Sequence, residues 1–410
     1  MESLFDSAFF AGNRERLRTL FPGTAPIIIT ANGALQRNGE STYKFRQDSN
    51  FWYLTGINKP DILLVMDKDK EYLVVPEREK VMEIFEGATD TQELSKRSGI
   101  ETVVTSTVGW RQLTNRLKKV KHVATLAAAP AYVEPYDFYS NPARAALIAH
   151  IQNIRKDIEV LDLRLHMVKM RMVKQVPEIA AIQKAIDITI ASMKEATSPS
   201  KLDKYEYEYE LEAAINYGFR KRGAQGVAFD SIVASGANAC IIHNFPAYDK
   251  LAPKSLVIVD VGAEVENYAA DISRTYAVGK ITKRQRQVYQ AVAEVQEYAI
   301  SLLVPGALIR ENEKLVEHFM GEKLRELGLI KSIEHEAVRQ YFPHATSHFL
   351  GLDVHDAGDY NEPLVPGMML TAEPGIYISE EGIGVRIEDD ILITADGPVN
   401  LSAALPRNLV

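Results

Sequence analysis

An α/β domain followed by an α+β domain is what this 410-residue sequence predicts, on three observations. The chain is longer than one ordinary core serves. Residues 26–138 alternate short β-branched and aromatic runs with helical patterns, the mark of an α/β unit. From Gly226 onward strand patterns dominate, interrupted by two helical segments at about 281–303 and 311–328. The expected domains are 1–165 and 166–410.

In the first domain "APIIITANG", "ILLVMD" and "EYLVVP" read as strands, while "KVMEIFEG" and "WRQLTNRLKKV" read as helices. Another helix is expected around 142–155, and "IEVLDLRLHMVKMRMVKQVPEI" reads as the passage out of the domain. Pro177 suits a helix start, and "EIAAIQKAIDITIASMKEAT" keeps an apolar face at helical spacing. "SPSKLDKYEYEYELEAAINYGFRKRG" is locally ambiguous. Its Tyr/Glu alternation is strand-like, but "SPS" starts a helix and Gly218 and Gly223 suit its end, so one helix is expected. Beyond it, "FDSIVASG", "SLVIVDVGAEV", "YAADISRTYAV", "MMLTAEPGIYI" and "VRIEDDILIT" are strands of a sheet with polar residues on one face.

Charged residues make up 25% and the hydrophobic set 46%, the balance of a folded globular chain. Lys plus Arg is 47 against 55 for Asp plus Glu, a net charge of −8 that argues against a nucleic-acid partner. Cys240 is the single cysteine, so no internal disulfide forms and a reducing compartment fits. The opening "MESLFDSAFFAGNRERL" lacks a signal peptide's basic start and apolar run, and no stretch approaches the ~18–20 apolar residues of a membrane span. A cytoplasmic protein without a membrane partner is the expectation.

"VDVGAEVENYAADISRTY" puts Asp260 and Asp271 on consecutive strands. A turn near Val265 and Glu266 would set them roughly opposite each other. Two buried carboxylates so placed repel unless a cation lies between them; the alternative is two exposed aspartates on a hairpin. Glu373 and Glu388 also sit inside apolar strands. Arg386 and Glu388 share a strand face, so they are either site residues or a surface ion pair. Asp389 and Asp390 are expected on a solvated rim.

"FPHATSHFLGLDVHDAG" (342–358) holds His344, His348 and His355. It lacks the glutamate of His-Glu-x-x-His, and Gly351 argues for a loop or strand. Three histidines would suit zinc; one histidine with several carboxylates suits Mn²⁺, Mg²⁺ or Fe²⁺. Two Asp, two Glu and one His can hold two metals, activate a bridging water and hydrolyse a carbonyl bond. His243, after "ACII", is by itself more often structural than catalytic. His122, His150, His166, His318 and His335 fall in helical or linker segments and are read as structural or surface.

The ordered set Asp260, Asp271, His348, Glu373 and Glu388 resembles the ligand set of the pita-bread metallopeptidases, which include methionine aminopeptidases, prolidases and proline aminopeptidases (aminopeptidase P). "RQDSNFWYLTGINKPD" (46–61) is similar to the aminopeptidase P N-terminal domain, and "DVGAEVENYAADISRTY", "SHFLGLDVHDAG", "TAEPGIYI" and "GIGVRIEDD" follow as its catalytic blocks, in order. The resemblance implies a catalytic domain of pita-bread (creatinase/aminopeptidase) fold. It implies a dinuclear exopeptidase that cleaves Xaa-Pro bonds of peptides with a metal-bridging hydroxide. Two divalent ions per subunit are implied, Mn²⁺ first, with Zn²⁺, Co²⁺ or Fe²⁺ as alternatives, in a homodimer or homotetramer.

On the same resemblance, the five residues are the ligands and Glu373 also shuttles a proton. His355 stabilises the tetrahedral intermediate, and His243 lies near the leaving nitrogen and the proline ring. His344, Tyr377 and Arg386 line the same pocket, while Asp353 and Asp356 are structural. The chain departs from the family's pattern at Ala345, Asn267 and Ala270, where glycines are usual, and at Phe85, where some members carry a tryptophan. Prolidase, acting on Xaa-Pro dipeptides, is the rival within the fold. A binding module that has lost its ligands is the rival from another class, disfavoured because every ligand position is filled.

Overall fold

The β-branched run Ile27–Thr30 lies inside a six-stranded mixed sheet. In order the strands are Val103–Thr105, Lys70–Val75, Leu63–Asp67, Ile27–Thr30, His122–Thr125 and Glu159–Asp162. Ile27–Thr30 pairs antiparallel with Leu63–Asp67 and parallel with His122–Thr125. The computed structural model describes residues 3–68, 70–128, 138–245 and 247–409, so part of the 26–138 reading lies outside the described residues. Ile28, Val65 and Val74 of the sheet pack with Leu113, Leu117, Leu147 and Ile151 of the helices Ser106–Leu117 and Ala143–Ile154 in one core. "IEVLD" is the sixth strand of this sheet rather than part of a passage out of it.

The chain divides into two units, Phe5–Met170 and Arg171–Val410 together with Met1–Leu4. The division falls inside the helix Arg164–Met172, whereas the sequence reading set the join at 165/166. Among the described residues no helix is long and apolar enough to cross a membrane.

In the second unit, Val176–Ala196 opens with Pro177 in its first turn, as expected. The single helix expected over 198–223 is instead Pro199–Leu202 and Glu208–Lys221. Between them Tyr207 pairs as an isolated bridge with Lys250, and the rest of the Tyr/Glu alternation from Glu208 onward is helical. Gly218 does not end the helix. It lies within it, where a Cβ would come 2.8 Å from Ser192 of the neighbouring helix.

The expected strands over 255–265 and 268–278 form one hairpin. Ser255–Val261 pairs with Ile272–Val278, and Ala263–Val265 pairs with Tyr268–Ala269 in the same register but in a separate sheet. Gly262, at the change of sheet, has no room for a Cβ, which would lie 1.7 Å from the Ala270 carbonyl oxygen. The two late strands are each split in two. Met369–Ala372 pairs with Asp389–Thr394, while Gly375–Ile378 pairs with Ile383–Arg386 in another sheet. The helices Lys283–Ser301 and Ile309–Glu326 cover this region through a core of Val288, Val292, Val295, Val316 and Met320 packed on Ile376 and Val385.

Candidate metal centre

The hairpin turns at Glu266 and Asn267, whose φ values of 47° and 67° make a two-residue loop with both central residues left-handed. Asn tolerates that conformation better than most residues, so the departure from glycine at 267 costs little. The register pairs Asp260 with Ser273 and Val261 with Ile272, which leaves Asp271 diagonal to Asp260 on the same face rather than directly opposite. Ser273 and Thr275 share that face and are buried, so the sheet's polar face lines the centre rather than meeting water.

Glu373 and Glu388 sit where the two late strands break. The Glu373 N–H donates to the Thr346 carbonyl at 2.8 Å and the Glu388 N–H to the Ser273 carbonyl at 3.0 Å. With their amides bound outside the regular ladders, both side chains turn inward. His348 lies on an irregular segment tied to Met369–Ala372: the Thr371 N–H donates to its carbonyl at 2.9 Å, and Phe349 bridges Leu370. His348 Nδ1 lies 3.0 Å from the Phe349 carbonyl and donates to it, which leaves Nε2 with a lone pair facing the acids.

His348 Nε2 is 3.5 Å from Asp271 Oδ2, 3.5 Å from Glu373 Oε1 and 3.9 Å from Glu388 Oε1. Asp271, His348 and Glu388 each offer a ligand atom, all within 4.8 Å of one another. Asp260 stands outside this tight group, and its Oδ2 accepts from Arg386 Nη2 at 2.6 Å. Arg386 Nη1 donates to the Tyr377 hydroxyl at 2.8 Å, and that hydroxyl is 2.8 Å from His344 Nε2. Arg386 is 2% and Glu388 1% exposed, which removes the surface-pair alternative.

Burial dominates the electrostatics. It raises the Asp271 carboxyl well above the ordinary range, and Asp260, Asp390 and Glu373 add to the effect. Glu388 is raised by burial and then by Asp271, and Glu373 by burial and then by Glu388. Burial lowers His348 to about 3, with His355 next in effect. Burial pushes the Tyr377 phenol up to about 12. Asp260 Oδ1 and Glu388 Oε1 are buried with no hydrogen-bond partner. Acidic oxygens left bare among other acids, beside a neutral imidazole nitrogen, fit hard divalent cations.

Two expectations are corrected. Asp389 and Asp390 are not on a solvated rim: both are fully buried. Arg274 Nη2 donates to Asp389 Oδ1 at 2.6 Å, and Gln296 donates to its Oδ2 at 2.8 Å. Asp390 accepts the Asp271 N–H at 3.2 Å. His122 opens a strand beside Glu159 instead of lying in a helix or linker.

The remaining histidines stand at the edge of the centre. The His355 ring lies 4.1 Å from that of His348, yet His355 is exposed. His243 is also exposed and stacks on Phe245 at 5.7 Å. Asp356 is buried against Lys174 at 2.7 Å and against Arg171. Ser273 was not anticipated. Its hydroxyl donates to Glu388 Oε2 at 2.8 Å and accepts from Arg386 Nε at 3.1 Å. Two-residue alternation from Asp271 would have found it. Phe85 is 78% exposed.

The metallopeptidase family M24 profile matches residues 180–395, and the aminopeptidase P N-terminal domain profile matches residues 10–125. A Haemophilus influenzae Xaa-Pro aminopeptidase is 33% identical over 98% of this chain and 95% of that protein. An Escherichia coli Xaa-Pro aminopeptidase is 35% identical over 94% of this chain and 92% of its own length. The structure of proline aminopeptidase P II from Yersinia pestis superposes with a TM-score of 0.86 at 32% identity, covering 98% of each chain.

Proposed function

The chain belongs to metallopeptidase family M24, in its aminopeptidase P branch, and we propose that it releases the N-terminal residue from peptides whose second residue is proline. It is a metal-dependent exopeptidase, and its two domains have the aminopeptidase P architecture. The observation that carries the finer reading is the meeting of His348 with Asp271 and Glu388 beside carboxylate oxygens that no protein donor satisfies.

The proposed ligands are Asp260, Asp271, His348, Glu373 and Glu388, for two divalent cations per subunit, with Mn²⁺ the first choice for so oxygen-rich a set. When bound, such cations supply Lewis acidity, activating a water and polarising the scissile carbonyl. Glu373 is assigned to take a proton from the attacking water and deliver it to the departing proline nitrogen. His355 is assigned to the developing oxyanion, and His243 to the leaving-group side. His344, Tyr377 and Arg386, already linked through the Tyr377 hydroxyl, form a fixed wall for the proline ring.

A proline nitrogen carries no N–H and restricts the residue before it. A site that reads the ring by shape therefore reaches a bond that N–H-dependent recognition misses. Assembly as a homodimer or homotetramer belongs to the same reading, as does work in the cytoplasm, where a chain with a single cysteine fits.

The test is a rate comparison on Ala-Pro and Ala-Pro-Ala. The tripeptide should be cleaved, with proline specificity seen as loss of activity on Ala-Ala-Ala. Cleavage of the dipeptide alone would make the enzyme a prolidase and overturn the assignment.

A further inference from the structure

Beyond the metal centre, the start of the catalytic unit carries a buried charge cluster that the chemistry above does not use. Arg171 is 3% and Lys174 5% exposed, and both meet Asp356, which is 3% exposed. Asp356 is the immediate neighbour of His355. We propose that Arg171 and Lys174 are positioning residues that set the placement of His355 by gripping the loop Gly351–Asp356. This rests on the assignment of His355 to the developing oxyanion.

The loop contains no helix or strand, so no ladder holds it. Its own closure is light: the Asp356 N–H donates to the Phe349 carbonyl at 2.8 Å, and the Gly351 N–H to the Asp353 carbonyl at 3.1 Å. The His355 side chain is exposed, with its ring 4.1 Å from that of His348. The backbone on either side fixes where that ring starts from. That backbone is held through carboxylates.

Lys174 Nζ donates to Asp356 Oδ2 at 2.7 Å and to the Arg171 carbonyl at 2.7 Å. Arg171 Nη2 donates to Asp356 Oδ1 and, at 2.7 Å, to Asp353 Oδ2, so one guanidinium spans both ends of the segment that holds His355. The Asp353 N–H closes the arrangement on Asp356 Oδ1 at 3.3 Å. A Cβ at Gly351 would lie 2.2 Å from Asp356 Oδ2, so the carboxylate packs directly on the loop's own backbone.

The start of the following helix, Val176–Ala196, reaches the Asp271 hairpin. Glu178 accepts the Tyr268 hydroxyl at 2.9 Å, and the Ala269 N–H beside it donates to the Gly351 carbonyl at 2.8 Å. The loop is therefore pinned on one side by the charge cluster and on the other by the hairpin tip. Buried ion pairs are often no more stabilising than apolar residues of the same volume. What a planar guanidinium adds is fixed geometry. A positional role for the cluster accounts for its location beside His355.

The test is a double-mutant cycle of Arg171→Met with His355→Ala, reading kcat, KM, bound metal and Tm. Arg171→Met should lower kcat about 30-fold, keep KM within about threefold and leave bound metal unchanged, the pattern of an interaction made in the transition state. In the His355→Ala background the same change should cost less than about threefold, because residues acting through one another are not additive. Arg171→Lys, which keeps the charge and loses the fork, should recover part of the rate.

Asp353→Asn, at a half-exposed position, should show a smaller kcat loss with the same coupling to His355. It decides the matter if Arg171→Met does not fold. Equal losses in both backgrounds, or loss of metal with the rate, would overturn the proposal while leaving His355 its role. Full activity of His355→Ala alone would overturn both.

Discussion

The carboxylate floor and the histidine rim of the centre are built on opposite plans. Asp260, Asp271 and Glu388 are at most 8% exposed, and they lie on or beside strands that change sheet at the site. His243 and His355 are exposed and project from irregular segments. Burial leaves Asp260 Oδ1 and Glu388 Oε1 on the floor without a hydrogen-bond partner, whereas the rim faces solvent. The difference matches the proposed division of labour, with cations held on the floor and the peptide met at the rim.

The largest expected effect comes from breaking the floor. Asp271→Ala should abolish metal retention and cut activity by more than about 10²-fold, since even groups supporting metal ligands cost 10–100-fold. Elemental analysis of the purified variant checks it, and retained metal with retained activity would erase the distinction between floor and rim. On the rim, His355→Ala should cost on the order of 10²–10³ in kcat, the scale of one lost oxyanion donor, with bound metal unchanged. A fall in metal content would move His355 into the floor.

Ser273→Ala sharpens the comparison from beneath. It removes the hydroxyl that orients Glu388, at 2.8 Å, without touching a ligand. Metal affinity should weaken by roughly 10–100-fold while kcat at saturating metal stays near that of the unaltered enzyme. An unchanged metal titration would show that Glu388 needs no such support.

A smaller effect is a proton count. In the metal-free fold Asp271, Glu373 and Glu388 are raised by burial and mutual repulsion. Raised carboxyls contribute stability fully below their ordinary range near pH ~4 and lose it as pH rises through the raised values. His348, lowered to about 3, works the other way: its contribution is present above its ordinary 6.5 and lost as pH falls. Cations that bind these carboxyls displace whatever protons the fold retains on them. Calorimetry in buffers of different ionisation heat should count more than one proton released per subunit. A count of zero would mean that the floor is already ionised.

Part of this centre was legible in the sequence for physical reasons. Asp260 and Asp271 flank a hairpin whose apolar strands announce burial, and a buried acid pair asks for a cation. The diagonal offset was not legible, because it depends on the turn falling at Glu266 and Asn267. Nor were the breaks at Glu373 and Glu388, since apolar runs such as "MMLTAEPGIYI" read as continuous while sheet membership is set by distant partners. Asp389 and Asp390 read as a solvated rim for the same reason. Arg274, the buried cation that meets Asp389, is more than a hundred residues away in sequence.

Chelator-stripped enzyme reloaded stepwise with Mn²⁺, with activity and bound metal measured on the same samples, tests the account most directly. Activity on Ala-Pro-Ala should be absent in the stripped protein and return in step with metal, up to two ions per subunit. Full activity in a metal-free sample would contradict it.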